Sequence, residues 1–183
     1  YCTHSMPASN DNTILDTIRR DSETGFRMLV RCYREPVYWH IRRITVLHHD
    51  AEDAMQETFL RVFRNIGKFN RDMPLAAWIF RIATNEALRQ REKNKAPHLP
   101  LDAAAADIFP ADEYFDYSNL EAVRLQQAIL SLPPRQQLAF NLRYYNDFDY
   151  GTIAQITDST TAAVKANYHA AKEKIIRHLN SHD

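Results

Sequence analysis

Glycine is scarce in this chain: Gly25, Gly67 and Gly151 are the three it contains in 183 residues, so few positions suit the tight turns of β-hairpins. Alternating Val, Ile and Thr runs are lacking too. Ala, Leu, Arg, Gln and Glu dominate instead, and these residues favour helix over strand. Two cysteines, Cys2 and Cys32, stand thirty residues apart; that spacing suggests neither a disulfide framework nor a zinc site and fits a reducing cytoplasm. No apolar run approaches the ~20 residues of a membrane helix, so no membrane insertion is expected. The stretch before Met6 has no apolar core and is not read as a signal peptide, with Met6 a candidate start. P-loop, glycine-rich phosphate cradle and G-x-S-x-G elbow are all missing. An all-α protein with no catalytic residues and no cofactor is the expectation.

Net charge is zero, but it is unevenly spread. Residues 1–95 carry +4 and residues 96–183 carry −4. Between Ala96 and Asn119 there is no Lys or Arg, whereas Asp102, Asp107, Asp112, Glu113 and Asp116 all fall there. A basic working half and an acidic connector follow from this asymmetry. Three units are expected: a helical bundle over residues 12–95, an acidic linker over 96–117, and a second helical domain over 118–180.

In the first unit, Asn12 or Thr13 can cap a short helix, Ser22 can cap a second, and Pro36 is placed to open a third. His48-His49-Asp50 reads as a turn before a carboxylate-rich helix. There Met55, Phe59, Val62, Phe63 and Ile66 form an apolar stripe, while Asp53, Gln56 and Glu57 share the other face with an apolar Leu60. A large apolar residue among polar ones suits a partner helix better than bulk water. The bland alternative is a solvated face with one stray leucine. Asp72 can cap the next helix, with Pro74 at its start. Leu75, Ile79, Ile82 and Ala83 point inward on that helix, and Trp78, Arg81, Asn85, Leu88 and Arg89 lie on an adjacent face. Ring, guanidinium and amide together suit single-stranded DNA: bases stack, Arg neutralises phosphate and Asn reads a base edge. Trp78 could equally be a core residue.

The second unit opens with Ala122, Leu125, Ile129 and Leu132 inward, and Pro133-Pro134 separates its first two helices. Asp149 can cap a short helix, and Thr160 a final one with Val164, Tyr168, Ala171, Ile175 and Leu179 inward. Short helix, turn (Thr157-Asp158-Ser159) and longer helix have the dimensions of a helix-turn-helix, giving a C-terminal four-helix domain.

The order of these segments resembles bacterial RNA polymerase sigma factors of the extracytoplasmic-function group, from about Ile14 to Leu179. The resemblance rests on DAEDAMQETFLRVFRNIGKF, on PLAAWIFRIATNEALRQRE, and on LPPRQQLAFNLRYYNDFDYGTIAQI followed by TTAAVKANYHAAKEKI. It implies that Asp53, Gln56, Glu57 and Leu60 dock on core RNA polymerase. By the same resemblance, the loop Phe69-Asn70-Arg71-Asp72-Met73, with Trp78, Arg81, Asn85 and Arg89, would read the promoter −10 element and capture a flipped base. Thr161, Ala162, Lys165, Ala166, His169 and Lys172 would read the −35 element. Promoter DNA, core polymerase and an anti-sigma factor are the implied partners. Two departures bear on −35 binding: Ala166-Asn167 stands where Ser-Arg is usual and Ala170-Ala171-Lys172 where Arg-Ala-Arg is common. Fewer cations mean fewer released counterions, hence weaker and less salt-sensitive binding. Two other classes stay open on the residues alone. One is a helix-turn-helix regulator without polymerase contacts. The other is a metal-dependent phosphohydrolase built on His48, His49 and Asp50 with Glu52 and Asp53, for which His40 is the best further ligand.

Overall fold

A computed structural model describes residues 11–93 and 120–180. The expected linker over 96–117 lies outside the described residues. Among the described residues eight α-helices run in order: α1 (Asp11–Arg20), α2 (Ser22–Thr45), α3 (His48–Asn65), α4 (Leu75–Lys93), α5 (Leu120–Leu130), α6 (Pro134–Tyr144), α7 (Tyr150–Thr157) and α8 (Thr161–Asn180), with one 3₁₀ turn, Ile66–Lys68, after α3. No strand occurs among the described residues.

The α2 helix departs from expectation twice. It is one 24-residue helix with Pro36 inside it, not two helices meeting there. Proline removes a backbone donor and costs about 3 kcal/mol in a helix interior. Leu29, Tyr33, Val37, Ile41 and Ile44 form one buried stripe across that position, and each such side chain returns roughly 1.5–3 kcal/mol. Burial therefore outweighs the proline. The cap is Asp21 rather than Ser22: its carboxylate accepts from the backbone N–H groups of Glu23 and Thr24, and these bonds hold its pKa below the usual carboxylate range, the Thr24 hydroxyl first among them. Gly25 is where α1 crosses closest, since a Cβ there would meet the Ile18 backbone nitrogen at 2.4 Å.

His48-His49-Asp50 is the first turn of α3, not a separate turn. The stripe of α3 is also rotated from its expected place. Ala51, Ala54, Thr58, Phe59 and Val62 are buried, whereas Phe63 is 50% exposed with its ring edge against Phe26. Small residues let α3 approach α2 and α4 closely, and at 100° per residue that shift carries Phe63 outward. In α5, likewise, Val123 is buried and Ala122 exposed, against expectation.

α4 packs on α2, α3 and α7 at once, so nine of its 19 residues are buried, Phe80 and Glu86 among them. One continuous apolar core therefore runs from α1–α4 into α6, α7 and α8 through Ala139, Leu142, Ile153, Ala154, Ile156 and Val164. A second, smaller core of Ala128, Ile129, Leu132, Phe140, Ala171 and Ile175 holds α5, α6 and α8 together.

Candidate nucleic-acid interface

On α3, Asp53, Gln56 and Leu60 are exposed, Leu60 at 48%. Glu57 is half-buried and accepts from Arg61 at 3.1 Å. The four residues expected to dock polymerase thus share one accessible face.

The residues expected at the −10 element do not form one face. Asn70, Asp72, Met73, Trp78 and Arg81 line a cleft of about 610 Å³ whose other wall comes from α7 and the start of α8. Asn70 donates to Asp72, which ties the loop to itself. Phe69 packs on Trp78 with ring centroids 5.1 Å apart, so Trp78 is half-buried and serves both as packing and as lining. Asn85 and Arg89 belong to a different cleft of about 370 Å³ between α3 and α4, with Trp78 as its shared edge. Arg71 belongs to neither; it donates to Asn12 at 3.3 Å and lies 3.8 Å from Asp16, turned toward α1.

The cleft between α3 and α4 adds four residues that pattern reading did not single out: Arg61, Asn65, Lys68 and Glu86. Buried Glu86 receives Arg61 at 2.9 Å and Arg89 at 3.0 Å. Two guanidiniums and Lys68 against Glu86, with Glu57 also on Arg61 from outside the cleft, leave it net cationic, beside an indole and an amide. That set can take a phosphate and a base together. The cationic run of α3 and its exit was the available signal, but only the crossing of α3 over α4 brings it to Asn85.

In the second unit, Asp149 caps α7 by accepting from the Thr152 backbone N–H at 2.9 Å, which lowers its pKa. Asp158 closes α7 in the left-handed region at φ 52°, a conformation Asp tolerates better than most residues. Thr160 Oγ1 then accepts from the Ala163 N–H at 3.2 Å to start α8. Val164, Ala171 and Ile175 are buried, and Thr161, Ala162, Lys165, Ala166, His169 and Lys172 are all exposed. These six follow one accessible side of the longer helix.

The His and Asp residues of the hydrolase alternative are otherwise engaged. His48 Nδ1 lies 2.7 Å from the Tyr38 hydroxyl and its Nε2 3.4 Å from Glu52. Asp50 is buried and accepts from Gln90. His40 is buried with Nε2 2.8 Å from Thr84 Oγ1; desolvation pushes its pKa down to about 3, so it is neutral in the fold. Among the described residues no three His, Cys, Asp or Glu side chains gather as a metal site.

Two helical units, the second built on a helix-turn-helix, define a DNA-binding class. Comparison with known proteins narrows it. Residues 29–96 match sigma-70 region 2 and residues 122–175 match sigma-70 region 4. The chain is 27% identical over 178 residues to the ECF RNA polymerase sigma factor SigW of Bacillus subtilis, covering 88% of this chain and 92% of that protein. It is 27% identical over 176 residues to the ECF RNA polymerase sigma-E factor of Escherichia coli K12, covering 90% and 92%. Among solved structures it is similar in fold to CnrH in complex with the cytosolic domain of CnrY: TM-score 0.72, 19% identity, 94% of this chain and 99% of that one. A second is the sigma factor RpoE with the anti-sigma factor NepR from Bartonella quintana: TM-score 0.68, 22% identity, 85% and 96% covered. The chain belongs to the extracytoplasmic-function group of sigma factors, which bind core RNA polymerase and direct it to promoters. That membership sets aside both the hydrolase and the regulator that acts without polymerase. No helix among the described residues is long and apolar enough to cross a membrane.

Proposed function

We propose that the chain divides promoter recognition between its two units, over residues 12–95 and 118–180, with polymerase docking on the outer face of α3. The observation that carries this reading is the α3–α4 cleft, which joins Trp78, Asn85 and Arg89 to Arg61 and Lys68. A stacking surface, a base-edge reader and phosphate partners in one place suit a melted −10 strand. The −35 element falls to the exposed side of α8 through Lys165, His169 and Lys172, with Thr161, Ala162 and Ala166 close to the base edges. Of the expected −10 set, Arg71 supports the loop through α1 rather than touching DNA. The cytoplasm is the compartment this work requires. An anti-sigma factor is the proposed regulator; RpoE of Bartonella quintana, similar in fold, was solved with one.

In vitro transcription with purified core polymerase on genomic fragments tests the reading; absence of any initiated transcript would overturn it. For the docking face, Asp53→Ala with Gln56→Ala should reduce co-purification with core enzyme while helicity stays unchanged, since neither side chain is buried. Glu57→Ala is a less clean probe because it also releases Arg61. Undiminished co-purification would move the docking surface elsewhere.

A further inference from the structure

Glu86 is out of keeping with its surroundings. It lines the α3–α4 cleft beside Arg61, Lys68, Asn85 and Arg89, the groups assigned to a melted strand, yet a carboxylate repels phosphate. It is also buried, at 6% exposure. A buried carboxylate is costly unless it is paired, and the fold supplies two cations. Arg89, from the same helix, donates through one terminal nitrogen to both carboxylate oxygens at 3.0 Å. Arg61 reaches across from α3, its Nε 2.9 Å from one of those oxygens, and the same Nε donates to Glu57 at 3.1 Å. Neither guanidinium is used up by these pairs, since each carries further N–H donors. Replacing a buried ion pair by neutral groups of like volume commonly leaves stability unchanged, so the fold alone does not call for a charge here. Affinity does not call for it either. With Arg61, Lys68 and Arg89 set against Glu57 and Glu86, the cleft keeps one net positive charge; without Glu86 it would keep two. What the carboxylate does supply is direction: it ties guanidiniums from two helices to one fixed point beside Asn85 and Trp78.

We propose that Glu86 is a positioning residue that sets the specificity of −10 reading: it holds Arg61 and Arg89 in fixed directions and offsets part of their charge. The proposal rests on the assignment of the α3–α4 cleft to the melted strand. A phosphate near freely turning guanidiniums is attracted whatever base it carries. Guanidiniums pinned to Glu86 accept the backbone in one register, which brings one base against the Asn85 amide and the Trp78 ring. A strand whose base does not fit there loses those contacts and finds too little charge elsewhere in the cleft to stay. Glu86 thus gives up affinity common to all sequences and leaves a larger share of binding to the base edge.

The test uses the full chain assembled with core polymerase and two probes, short oligo(dT) and a single-stranded DNA pool of random sequence. Glu86→Gln keeps the shape and removes the charge. It should steepen the salt slope for oligo(dT) by about 0.7, and so tighten that binding about fourfold at roughly 0.15 M salt. Enrichment of preferred sequences from the random pool should fall by about fivefold or more. A Glu86 that merely supported the fold would give the opposite sign, with weaker binding to both probes and an unchanged slope. Oligo(dT) binding that does not tighten, or enrichment that does not fall, therefore overturns the proposal. Glu86→Asp keeps the charge but draws it back by one methylene, and it carries the test if Glu86→Gln does not fold. It should show the wild-type salt slope with reduced enrichment; full enrichment there also overturns the proposal. Arg89→Gln, at an exposed side chain, checks the assignment beneath it and should weaken oligo(dT) binding with a shallower slope. If Arg89→Gln leaves both probes unchanged, the strand does not lie in this cleft, and the assignment falls together with the proposal. If Arg89→Gln weakens oligo(dT) binding while Glu86→Gln fails to tighten it, the assignment stands and the proposal alone is overturned.

Discussion

The two helices assigned to DNA solve the same problem in opposite ways. Nine of the 19 residues of α4 are buried, against three of 20 in α8. α8 is held by one edge, and its reading side is free for substitution at little cost to the fold. α4 is wedged between three helices, so its reading groups are confined to the edges of two clefts and its core carries both units. Sequence variation should therefore be cheap on α8 and expensive on α4. The small, cation-poor reading side of α8 fits that freedom: Ala162 and Ala166 add shape, Thr161 and His169 add polarity, and Lys165 and Lys172 are the two lysines of the set.

The largest effect expected from this contrast is Phe80→Ala. The side chain is fully buried, with Phe148 and His40 each at 5.0 Å, and its removal should cost about 3–5 kcal/mol in denaturant unfolding. A loss under 1 kcal/mol would show that α4 is not the shared support. Next comes Asn85→Ala, which should leave stability within about 0.5 kcal/mol because Asn85 is exposed,. It should erase discrimination at one −10 position worth about 1–3 kcal/mol, read as open-complex formation on a promoter library. Retained preference there would place base reading outside the α3–α4 cleft.

His40 sharpens the comparison through pH. Burial holds its folded pKa at about 3, below the 6.5 of a solvated imidazole, so the unfolded chain binds the extra proton. Stability should be unaffected by this group above pH 6.5 and fall by about 1.4 kcal/mol per pH unit below it. The window between pH 6.5 and 4.5 is diagnostic, because the lowered carboxylates Asp21 and Asp149 start from 3.8 and lose their contribution only at lower pH. His40→Gln should remove that slope, and a wild-type chain equally stable at pH 5 and 7 would argue against a buried neutral histidine. The smallest effect is Lys165→Ala: unfolding unchanged, −35 affinity lowered across sequences, and the salt slope reduced by about one charge. A sequence-selective loss instead would make Lys165 a base reader.

Legibility in the sequence followed the range of the interaction. The helix-turn-helix was readable because its signals are local: Asp149 and Thr160 cap through side chains three residues from their targets, Pro133-Pro134 starts α6, and Val164, Ala171 and Ile175 repeat at helical spacing. The exposed Asp53, Gln56 and Leu60 were readable for the same reason, as polar and apolar positions on one turn-to-turn face. Arg61 and Lys68 escaped notice as partners of Asn85, since no periodicity within α3 reports which helix will cross it.

Composition and periodicity by themselves determined the helical class, the helix-turn-helix, the outward Asp53, Gln56 and Leu60 of α3, and the side of α8 that meets solvent. Tertiary structure alone decided that α2 continues through Pro36, that Val46 accepts φ 69° at the α2–α3 corner, and that α4 becomes the seat of α7. A β-branched residue at positive φ and a proline inside a helix are each unfavourable locally, by about 1–3 kcal/mol or more. They persist because the packing of four helices around Phe80, Ile79 and Ile41 buries more apolar surface than those distortions cost, and that balance exists only once distant segments have met.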